Sequence, residues 1–327
     1  MVPTHRIPPE VTLACRRLQE AGFPAYVVGG AVRDLLRSPS DNSAKDFDLT
    51  TAAKPEQVIE VFGRKKVIPT GIAHGTVTVL CERESGKPHP IEITTFRGEV
   101  GFSDGRRPDR VEFISDLRED LRRRDFTINA MYYDPQTQIV VDYHNGFKDV
   151  KNRVIRMIGD PATRYREDPV RIIRAVRFAA KLSPLGFALE AKTSAPLIKS
   201  QELLADVPQS RMFDEMLKLL QTGHALASIA QLKKLGMARG IYPLLDVVVE
   251  RAEQPFVNAA LKDTDRRVGE GKPVAPSFLL ACVLWADVRD GWNRRLEQRQ
   301  HSHPALMDAI DEVFHSRIGD VSGGGKL

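Results

Sequence analysis

Two acidic side chains separated by one residue, Asp46 and Asp48, have the spacing in this chain that most directly indicates chemistry. In an extended strand, side chains two positions apart point to the same face, so the two carboxylates are expected to lie side by side. Such a pair of like charges is costly unless a cation neutralises it. Mg²⁺ prefers carboxylate oxygens together with phosphate oxygens as ligands. The spacing therefore predicts a metal site, with a helix cap or a turn as the alternative interpretation.

A glycine-rich turn precedes this pair. The apolar run 25–28 predicts a buried strand, which Gly29 and Gly30 end before a helix that is expected to begin near Ala31. Backbone N–H groups at such a turn, together with the side chain of Arg33, can bind a triphosphate. A diglycine alone usually marks only a turn. Combined with two same-face carboxylates in one strand–helix–strand unit, it predicts nucleotidyl transfer.

The elements that must position these residues change in type along the chain. In the first half, helices are predicted at 9–21 and 55–62, and adjacent strands at 76–80 and 91–96, with a hairpin loop at 82–90. After about residue 155 strand signals nearly vanish. Helices are then predicted at 168–181, 188–199, 208–221, 225–235 and 276–285. The change predicts an α/β head, a mixed sheet with helices, followed by an all-helical remainder.

Five segments resemble, in order and approximate spacing, the motifs of one superfamily. They are 29–34, 45–50, 91–97, 123–130 and 166–171. The superfamily is that of the class II nucleotidyltransferases, which holds bacterial poly(A) polymerases and CCA-adding tRNA nucleotidyltransferases, and the resemblance extends from about residue 25 to the end. It implies the nucleotidyltransferase fold for a catalytic head at 1–155, a helical neck with base recognition at 156–210, and a helical RNA-binding body, shortened at its C-terminus, at 211–327.

The resemblance also implies roles for charged residues of the head. Asp46 and Asp48 would hold two Mg²⁺ ions, with Mn²⁺ as the alternative, which join the nucleotide phosphates to the RNA 3′-hydroxyl. Glu92 would be a third carboxylate that orients or deprotonates this hydroxyl, unless it is only an exposed strand residue. Asp125 is expected either to act in catalysis or to organise the neighbouring arginines by salt bridges. Arg124 matches the nucleotide-contacting arginine of the family and is expected to bind phosphate.

A second set of charged residues is predicted to recognise the base. Asp168 and Arg171 are three positions apart and therefore adjacent on a helix surface. An Asp that accepts from an exocyclic amine and an Arg that donates to ring nitrogens can select adenine or cytosine without a template, although the spacing also fits a simple ion pair. The resemblance favours base recognition and adds Arg174 and Arg177 as nucleotide contacts. At about 100° per residue, Arg177 is expected to point roughly opposite Asp168.

Composition sets further expectations. The 327 residues include 48 Lys and Arg against 43 Asp and Glu, a net charge of +5, and the arginines concentrate around the proposed site, as polyanionic ligands require. The three cysteines are far apart and support neither a zinc site nor a disulfide framework. No apolar run reaches the length of a membrane span and no signal peptide is recognisable, which predicts a cytoplasmic protein with no membrane contact. The tail 322–327 is expected to be flexible.

The resemblance divides between two activities. Segments 68–79 and 103–109 are more similar to CCA-adding enzymes, whereas 164–171, 210–220 and 242–248 are more similar to bacterial poly(A) polymerases. Because neck and body determine which RNA is bound, we expect a poly(A) polymerase that adds AMP from ATP to the 3′ end of RNA, mRNA or tRNA, and does not act on DNA. The alternatives are a CCA-adding or A-adding tRNA enzyme, the former also using CTP, and a non-catalytic RNA-binding protein, which the presence of every expected carboxylate disfavours.

Overall fold

The protein is described by a computed structural model that covers residues 2, 4–38, 44, 46–100, 110–113 and 116–318. Segment 103–109 and the tail 322–327, for which the sequence makes predictions, lie outside the described residues. The chain divides into two compact units. Unit 1 comprises Met1–Arg164 with Ala188–Thr193, and unit 2 comprises Tyr165–Phe187 with Ser194–Leu327. The division into head, neck and body stays a prediction.

Unit 1 contains all the strands of the described residues. They are β1 (Ala25–Val28), β2 (Asp48–Thr51), β3 (Val67–Ile68), β4 (Thr76–Glu82), β5 (Pro88–Thr95), β6 (Arg97–Val100), β7 (Arg110–Phe113), β8 (Tyr132–Asp134), β9 (Ile139–Val141), β10 (Val154–Ile155) and β11 (Ala188–Leu189). Its helices begin with α1 (Pro9–Glu20), α2 (Gly30–Arg37), α3 (Pro55–Phe62), α4 (Leu117–Arg122) and α5 (Gly146–Asn152). The mixture of sheet and helices confirms the predicted α/β class.

A mixed sheet forms the frame of unit 1. Among the described residues, seven strands pair in the order β3-β4-β5-β2-β1-β8-β9, and β6–β7 and β10–β11 form two separate pairs. Strands β2 and β5 run parallel, whereas β1 is antiparallel to both β2 and β8. This order places the end of β1, the start of β2 and the middle of β5 side by side.

The local sequence explains where these elements begin and end. Strand β1 is buried at Ala25, Val27 and Val28, as expected for a short apolar run in a central strand. It ends at Gly29, whose φ of 82° lies in the left-handed region that a side chain would disfavour. Strands β4 and β5 confirm the predicted adjacent pair, and they extend further than expected, so that only residues 83–87 connect them.

The described part of unit 2 is helical, apart from short connections. Helix α6 (Pro161–Glu167) and helix α8 (Ala191–Ser194) cross the boundaries between the units. The others are α7 (Val170–Leu182), α9 (Leu197–Ser200), α10 (Gln209–Leu220), α11 (Ala225–Lys234), α12 (Pro243–Arg251), α13 (Pro255–Gly269), α14 (Pro276–Glu297) and α15 (Ser302–Ile318). None of the described helices is long and apolar enough to cross a membrane.

Helix α7 forms the centre of unit 2. Its apolar residues Ile172, Ile173 and Val176 are buried, and helices α10 and α11 pack against it. The prediction of a single helix at 188–199 is wrong. Residues 188–189 pair as strand β11, and Pro196 separates α8 from α9 because proline lacks the N–H that a continuous helix needs.

Candidate active site

The sheet register brings two of the predicted carboxylates together. Val28 pairs with Asp48 across β1 and β2, and Leu49 pairs with Ile93 across β2 and β5. Asp48 and Glu92 each precede one member of that second pair, so they occupy the same step of the parallel ladder. Because neighbours in a ladder share a face, both carboxylates project to the same side of the sheet.

Asp46 is close to this pair but does not belong to the strand. It lies two residues before Asp48, where β2 begins, and its side chain is exposed. Asp46 and Asp48 are both exposed on either side of the buried Phe47, which agrees with the predicted alternation, although Asp46 has no strand pairing among the described residues. Its charge nevertheless acts on Asp48, which places it in the same electrostatic environment.

The environment of Asp48 disfavours the ionised form of its carboxyl group. Part of the Asp48 side chain is exposed, but the surrounding protein displaces water from its carboxyl group. This desolvation and the charges of Glu92 and Asp46 raise the pKa of Asp48 to about 6, while Arg124 opposes the shift. A divalent cation would relieve this repulsion. The two aspartates offer hard oxygen donors, and Mg²⁺ commonly takes one or two carboxylates and completes its shell with phosphate and water. These residues fit such an ion, although the described residues contain no cluster of three or more His, Cys, Asp or Glu side chains with metal-binding geometry.

The glycine turn that follows β1 is packed against a buried arginine. A Cβ atom at Gly30 would lie 3.2 Å from Arg33 Nη2. The Arg33 guanidinium is only 4% exposed and donates through Nε to Asp34 Oδ1 at 3.0 Å and through Nη1 to Asn129 Oδ1 at 2.9 Å. Arg33 thus packs against the turn, and its hydrogen bond to Asn129 links the turn to the 123–130 segment. The sequence predicted Arg33 as a nucleotide contact and did not identify Asn129.

The arginines of the 123–130 segment are organised by Asp120. This aspartate is fully buried near the start of α4, whose N-cap is Asp116. Its Oδ1 accepts from Arg123 Nε at 3.0 Å, and its Oδ2 accepts from Arg124 Nη2 at 3.2 Å. Sequence reasoning missed Asp120, although its spacing of three and four positions from the two arginines is the spacing of helical ion pairs.

Asp125 has a different set of contacts. Its Oδ1 accepts the backbone N–H of Phe126 at 2.9 Å, and its backbone carbonyl accepts the N–H of Ile158 at 2.7 Å. The ion pairs of Arg123 and Arg124 both go to Asp120. The organising role that the sequence suggested for Asp125 is therefore performed by Asp120, and the catalytic role of Asp125 stays a prediction.

In unit 2, Asp168 and Arg171 are buried but do not pair with each other through their side chains. Asp168 forms a bidentate pair with Arg211: its Oδ1 accepts from Nη1 and its Oδ2 accepts from Nη2, each at 2.7 Å. Arg171 Nη1 donates to Glu167 Oε2 at 3.2 Å. The ion-pair interpretation of the Asp168–Arg171 spacing is therefore wrong. Arg211 lies on α10, 43 positions from Asp168, so no local pattern could have identified it.

Arg177 lies closer to the Asp168 side than an ideal helix predicts. Asp168 precedes the first residue of α7, so the angle of 100° per residue does not apply to it. Asp168 contacts Arg211, and Arg177 Nη2 lies 3.8 Å from Glu215 Oε2, one turn further along α10. Both therefore face α10. Arg174, one turn before Arg177 on α7, is half-buried.

Arg177 also lines a cavity of about 290 Å³ between α7 and the C-terminal end of α10. The other residues that line it are Phe178, Lys181, Lys218, Gln221 and Thr222. The guanidinium of Arg177 lies 5.1 Å from the centre of the Phe178 ring. Cations beside an aromatic ring are the combination that binds single-stranded nucleic acid, because phosphates and bases are both accommodated.

Comparison with known proteins gives two family matches. The family described as "Poly A polymerase head domain" matches residues 25–156, which hold the carboxylates, the glycine turn and the arginine cluster. The family described as "Probable RNA and SrmB- binding site of polymerase A" matches residues 186–248, which hold Arg211 and half of the cavity lining.

Three relatives illustrate the similarity. "Poly(A) polymerase I" of Escherichia coli is 40% identical over 319 residues, which cover 92% of this chain and 66% of the relative. The "CCA-adding enzyme" of Lactobacillus helveticus is 50% identical over 202 residues, 62% of this chain and 47% of the relative. The solved CCA-adding enzyme of Bacillus stearothermophilus in complex with CTP has a TM-score of 0.65 and 27% identity, covering 97% of this chain and 83% of that one. The chain thus spans just under two thirds of its poly(A) polymerase relative.

The raised pKa of Asp48 predicts a change in stability. We expect Asp48→Asn to increase the free energy of unfolding of the metal-free protein at pH 7.5 by about 0.2–1 kcal/mol, the range for partly solvated charges. The folded-state pKa of Asp48, about 6, lies above its ordinary value of 3.8, so ionisation destabilises the fold as the pH rises through this interval. Urea unfolding in EDTA measures the effect. At pH 3.5 the two proteins should be equally stable, and a gain that persists there would contradict charge repulsion as its cause.

Proposed function

The chain belongs to the nucleotidyltransferase family of bacterial poly(A) polymerases and CCA-adding enzymes, and on this basis we propose that it extends RNA 3′ ends with AMP from ATP, without a template. The observation that carries the proposal is the placement of Asp48 and Glu92 on one step of the sheet, directly beside the glycine turn. Two carboxylates next to a phosphate-binding turn suit a reaction in which a divalent cation brings together the nucleotide phosphates and the RNA 3′-oxygen.

Each of four charged residues of unit 1 would have a specific part in this reaction. Asp46 and Asp48 would hold Mg²⁺, or alternatively Mn²⁺, which when bound lowers the pKa of the RNA 3′-hydroxyl and offsets charge on the leaving pyrophosphate. Glu92 would orient the hydroxyl or accept its proton. The 3′-oxygen then forms a bond to the α-phosphorus of ATP, and the bond to the β-phosphate breaks. Arg124 would contact the phosphates, since it is a guanidinium that already acts on Asp48 electrostatically.

Base selection is assigned to Asp168 and Arg171 in unit 2. A carboxylate has about four lone-pair directions; the bidentate pair with Arg211 uses two of them, and the backbone N–H of Val170 donates to Oδ1 at 3.4 Å. A remaining direction can accept the exocyclic amine of adenine. Arg211 would fix the orientation of this carboxylate, and Arg171, whose Nη1 donates to Glu167 one turn before it, would contact the ring nitrogen.

RNA is the proposed acceptor, and the cavity beside Arg177 supports this assignment. Three basic residues, Arg177, Lys181 and Lys218, line it together with Phe178, and Lys218 belongs to the segment that matches the RNA-binding family. A second candidate function is CCA addition to tRNA. The identity of 50% to a CCA-adding enzyme over 202 residues favours it, whereas the longer match to poly(A) polymerase favours AMP addition.

The activity and its metal dependence can be tested together. We expect labelled AMP to be incorporated into RNA with Mg²⁺ and not with EDTA. Asp46→Ala and Asp48→Ala should each reduce the rate by more than the roughly 10–100-fold typical for residues outside the metal's own ligands. Glu84→Ala, which removes an exposed carboxylate from the β4–β5 turn, is the matched control and should leave the rate unchanged. Full activity of both aspartate variants would rule out the metal assignment.

The same assay separates the two candidate functions. One tRNA that lacks its terminal CCA and one generic RNA are each incubated with ATP and with CTP separately. Poly(A) polymerase activity predicts long tails on both RNAs with ATP and no addition with CTP. Addition of CTP confined to the tRNA would instead establish the CCA-adding alternative.

The base-recognition residues predict a change in nucleotide preference. We expect Asp168→Ala to reduce discrimination between ATP and the other nucleotides by about 1–3 kcal/mol, about 10- to 100-fold in relative kcat/KM, because the acceptor for the amino group is lost. Arg211→Lys keeps the charge but loses the bidentate geometry, so it should relax the preference less. Competition among ATP, CTP, GTP and UTP measures the ratios. A uniform fall in rate with unchanged ratios would make Asp168 purely structural.

The cavity predicts how RNA affinity depends on salt. We expect the logarithm of the binding constant to fall linearly with the logarithm of the salt concentration, because contacts to phosphate release counterions. Lys181→Ala or Lys218→Ala should each reduce the slope by about 0.7, the value per phosphate of single-stranded nucleic acid. Lys233→Ala on α11, which does not line the cavity, is the control and should leave the slope unchanged. Equal slopes for all proteins would exclude the cavity from RNA binding.

A further inference from the structure

A fully buried carboxylate in unit 1 has more hydrogen bonds than an ordinary ion pair. Asp120 Oδ1 accepts from the backbone N–H of Arg97 at 3.1 Å and from Arg123 Nε at 3.0 Å. Asp120 Oδ2 accepts from Arg124 Nη2 at 3.2 Å and from the Tyr132 hydroxyl at 2.8 Å. Burial alone would raise the pKa of Asp120, but Arg123 and Arg124 hold it below its usual value. A charge buried at this cost is retained only with such full pairing.

The network fixes one side of the Arg124 guanidinium and leaves the other side open. Arg124 Nε donates to the Tyr132 hydroxyl at 2.8 Å, and its Nη2 is held by Asp120. The guanidinium carbon lies 5.2 Å from the centre of the Tyr132 ring. Within the described part of the chain Nη1 has no hydrogen-bond acceptor, and the side chain is 16% exposed. Arg124 is therefore held at two nitrogens and presents the third.

The sheet register relates this guanidinium to the candidate metal ligands. Val28 pairs with Asp48 on one side and with Tyr132 on the other. Directly opposite residues in antiparallel pairs share a face, so the Tyr132 ring and the Asp48 carboxylate flank Val28 on one face. Arg124 lies over that ring, and thus on the face that also carries the Asp48 carboxylate.

We infer that Asp120 and Tyr132 are positioning residues, which hold Arg124 so that its Nη1 meets the phosphates of a nucleotide bound beside Asp48. The inference rests on the proposed function, because it assumes that a nucleotide binds there. An arginine fixed in advance loses less side-chain entropy when it binds phosphate, so the network should act mainly on nucleotide affinity. The Tyr132 hydroxyl is the critical atom, since it connects the carboxylate to Arg124 Nε.

A structural role for Tyr132 is the competing explanation. Its ring belongs to a buried cluster that includes Val28, Leu121 and Ala130. The next residue provides a matched control. Tyr133 is equally buried, but it faces the opposite side of β8, and its hydroxyl has no hydrogen-bond partner among the described residues. Both Tyr→Phe changes remove one buried oxygen from one strand, and only the change at Tyr132 touches Arg124.

The test measures ATP binding by calorimetry and ATP KM by labelled incorporation. We expect Tyr132→Phe to raise the Kd and KM for ATP about 3- to 10-fold, the effect of one hydrogen bond, with little change in kcat. Tyr133→Phe should leave both constants unchanged and preserve or increase thermal stability. Arg124→Lys should also raise Kd. In the Arg124→Lys background, adding Tyr132→Phe should have no further effect, because the guanidinium to be positioned is gone.

Three results would overturn the inference. They are equal effects of the two Tyr→Phe changes, an unchanged Kd for Arg124→Lys, and a Tyr132→Phe effect of the same size in the Arg124→Lys background. Thermal unfolding of every variant separates altered affinity from lost folding. If the wild-type protein binds ATP but transfers no nucleotide, the proposed function fails, while the Kd series still decides the positioning role.

Discussion

The constraint on which unit 1 depends is the repulsion between carboxylates that the sheet holds side by side. The register that pairs Val28 with Asp48 and Leu49 with Ile93 keeps Asp48 and Glu92 on neighbouring strands and on one face of the sheet. Loss of hydration and then this repulsion raise the pKa of Asp48 to about 6. An aspartate in solution would simply ionise. A rigid sheet is therefore what makes the site receptive to a cation, because the protein itself supplies only part of the compensating charge.

Arg124 supplies this part of the compensating charge. Its side chain must also be held in place, because an arginine that moved onto the carboxylates would neutralise them in place of the proposed cation. Asp120 and the Tyr132 hydroxyl prevent this movement, because together they hold two of the three guanidinium nitrogens. The cost of burying Asp120 is offset within unit 1 by donors from Arg97, Arg123 and Tyr132. Asp48, the proposed metal ligand, thus differs from Asp120, for which we infer a positioning role, in one respect: among the described residues Asp120 is saturated with donors and Asp48 is not.

The sequence predicted those parts of the fold and site that depend on local pattern. The short strand before Gly29 and the helices 55–62, 208–221 and 225–235 follow from apolar periodicity and turn residues, and the structure has them within one or two residues. The site residues that it missed, Asp120 and Arg211, depend on burial and on distant partners. The spacing of Asp120 to the arginines was visible, but its complete burial follows from packing against Tyr132, which no local window contains. Likewise, the helix at 188–199 failed because long-range pairing with β10 overrode local helix propensity.

The proposed base-recognition pair, Asp168 and Arg171, also bears on which nucleotides the protein would use. Adenine and cytosine both present an amino group beside a ring acceptor, so a carboxylate with an arginine reads the same pattern on either base. What separates them is distance, because the purine edge lies further from the ribose. A carboxylate clamped by two 2.7 Å bonds to Arg211 cannot shift to follow that distance. If Asp168 reads the base, the clamp therefore favours one base size, and an enzyme that must use both CTP and ATP would need that clamp to loosen. The rigidity of the Asp168–Arg211 pair is thus the physical property on which single-nucleotide and two-nucleotide addition would differ.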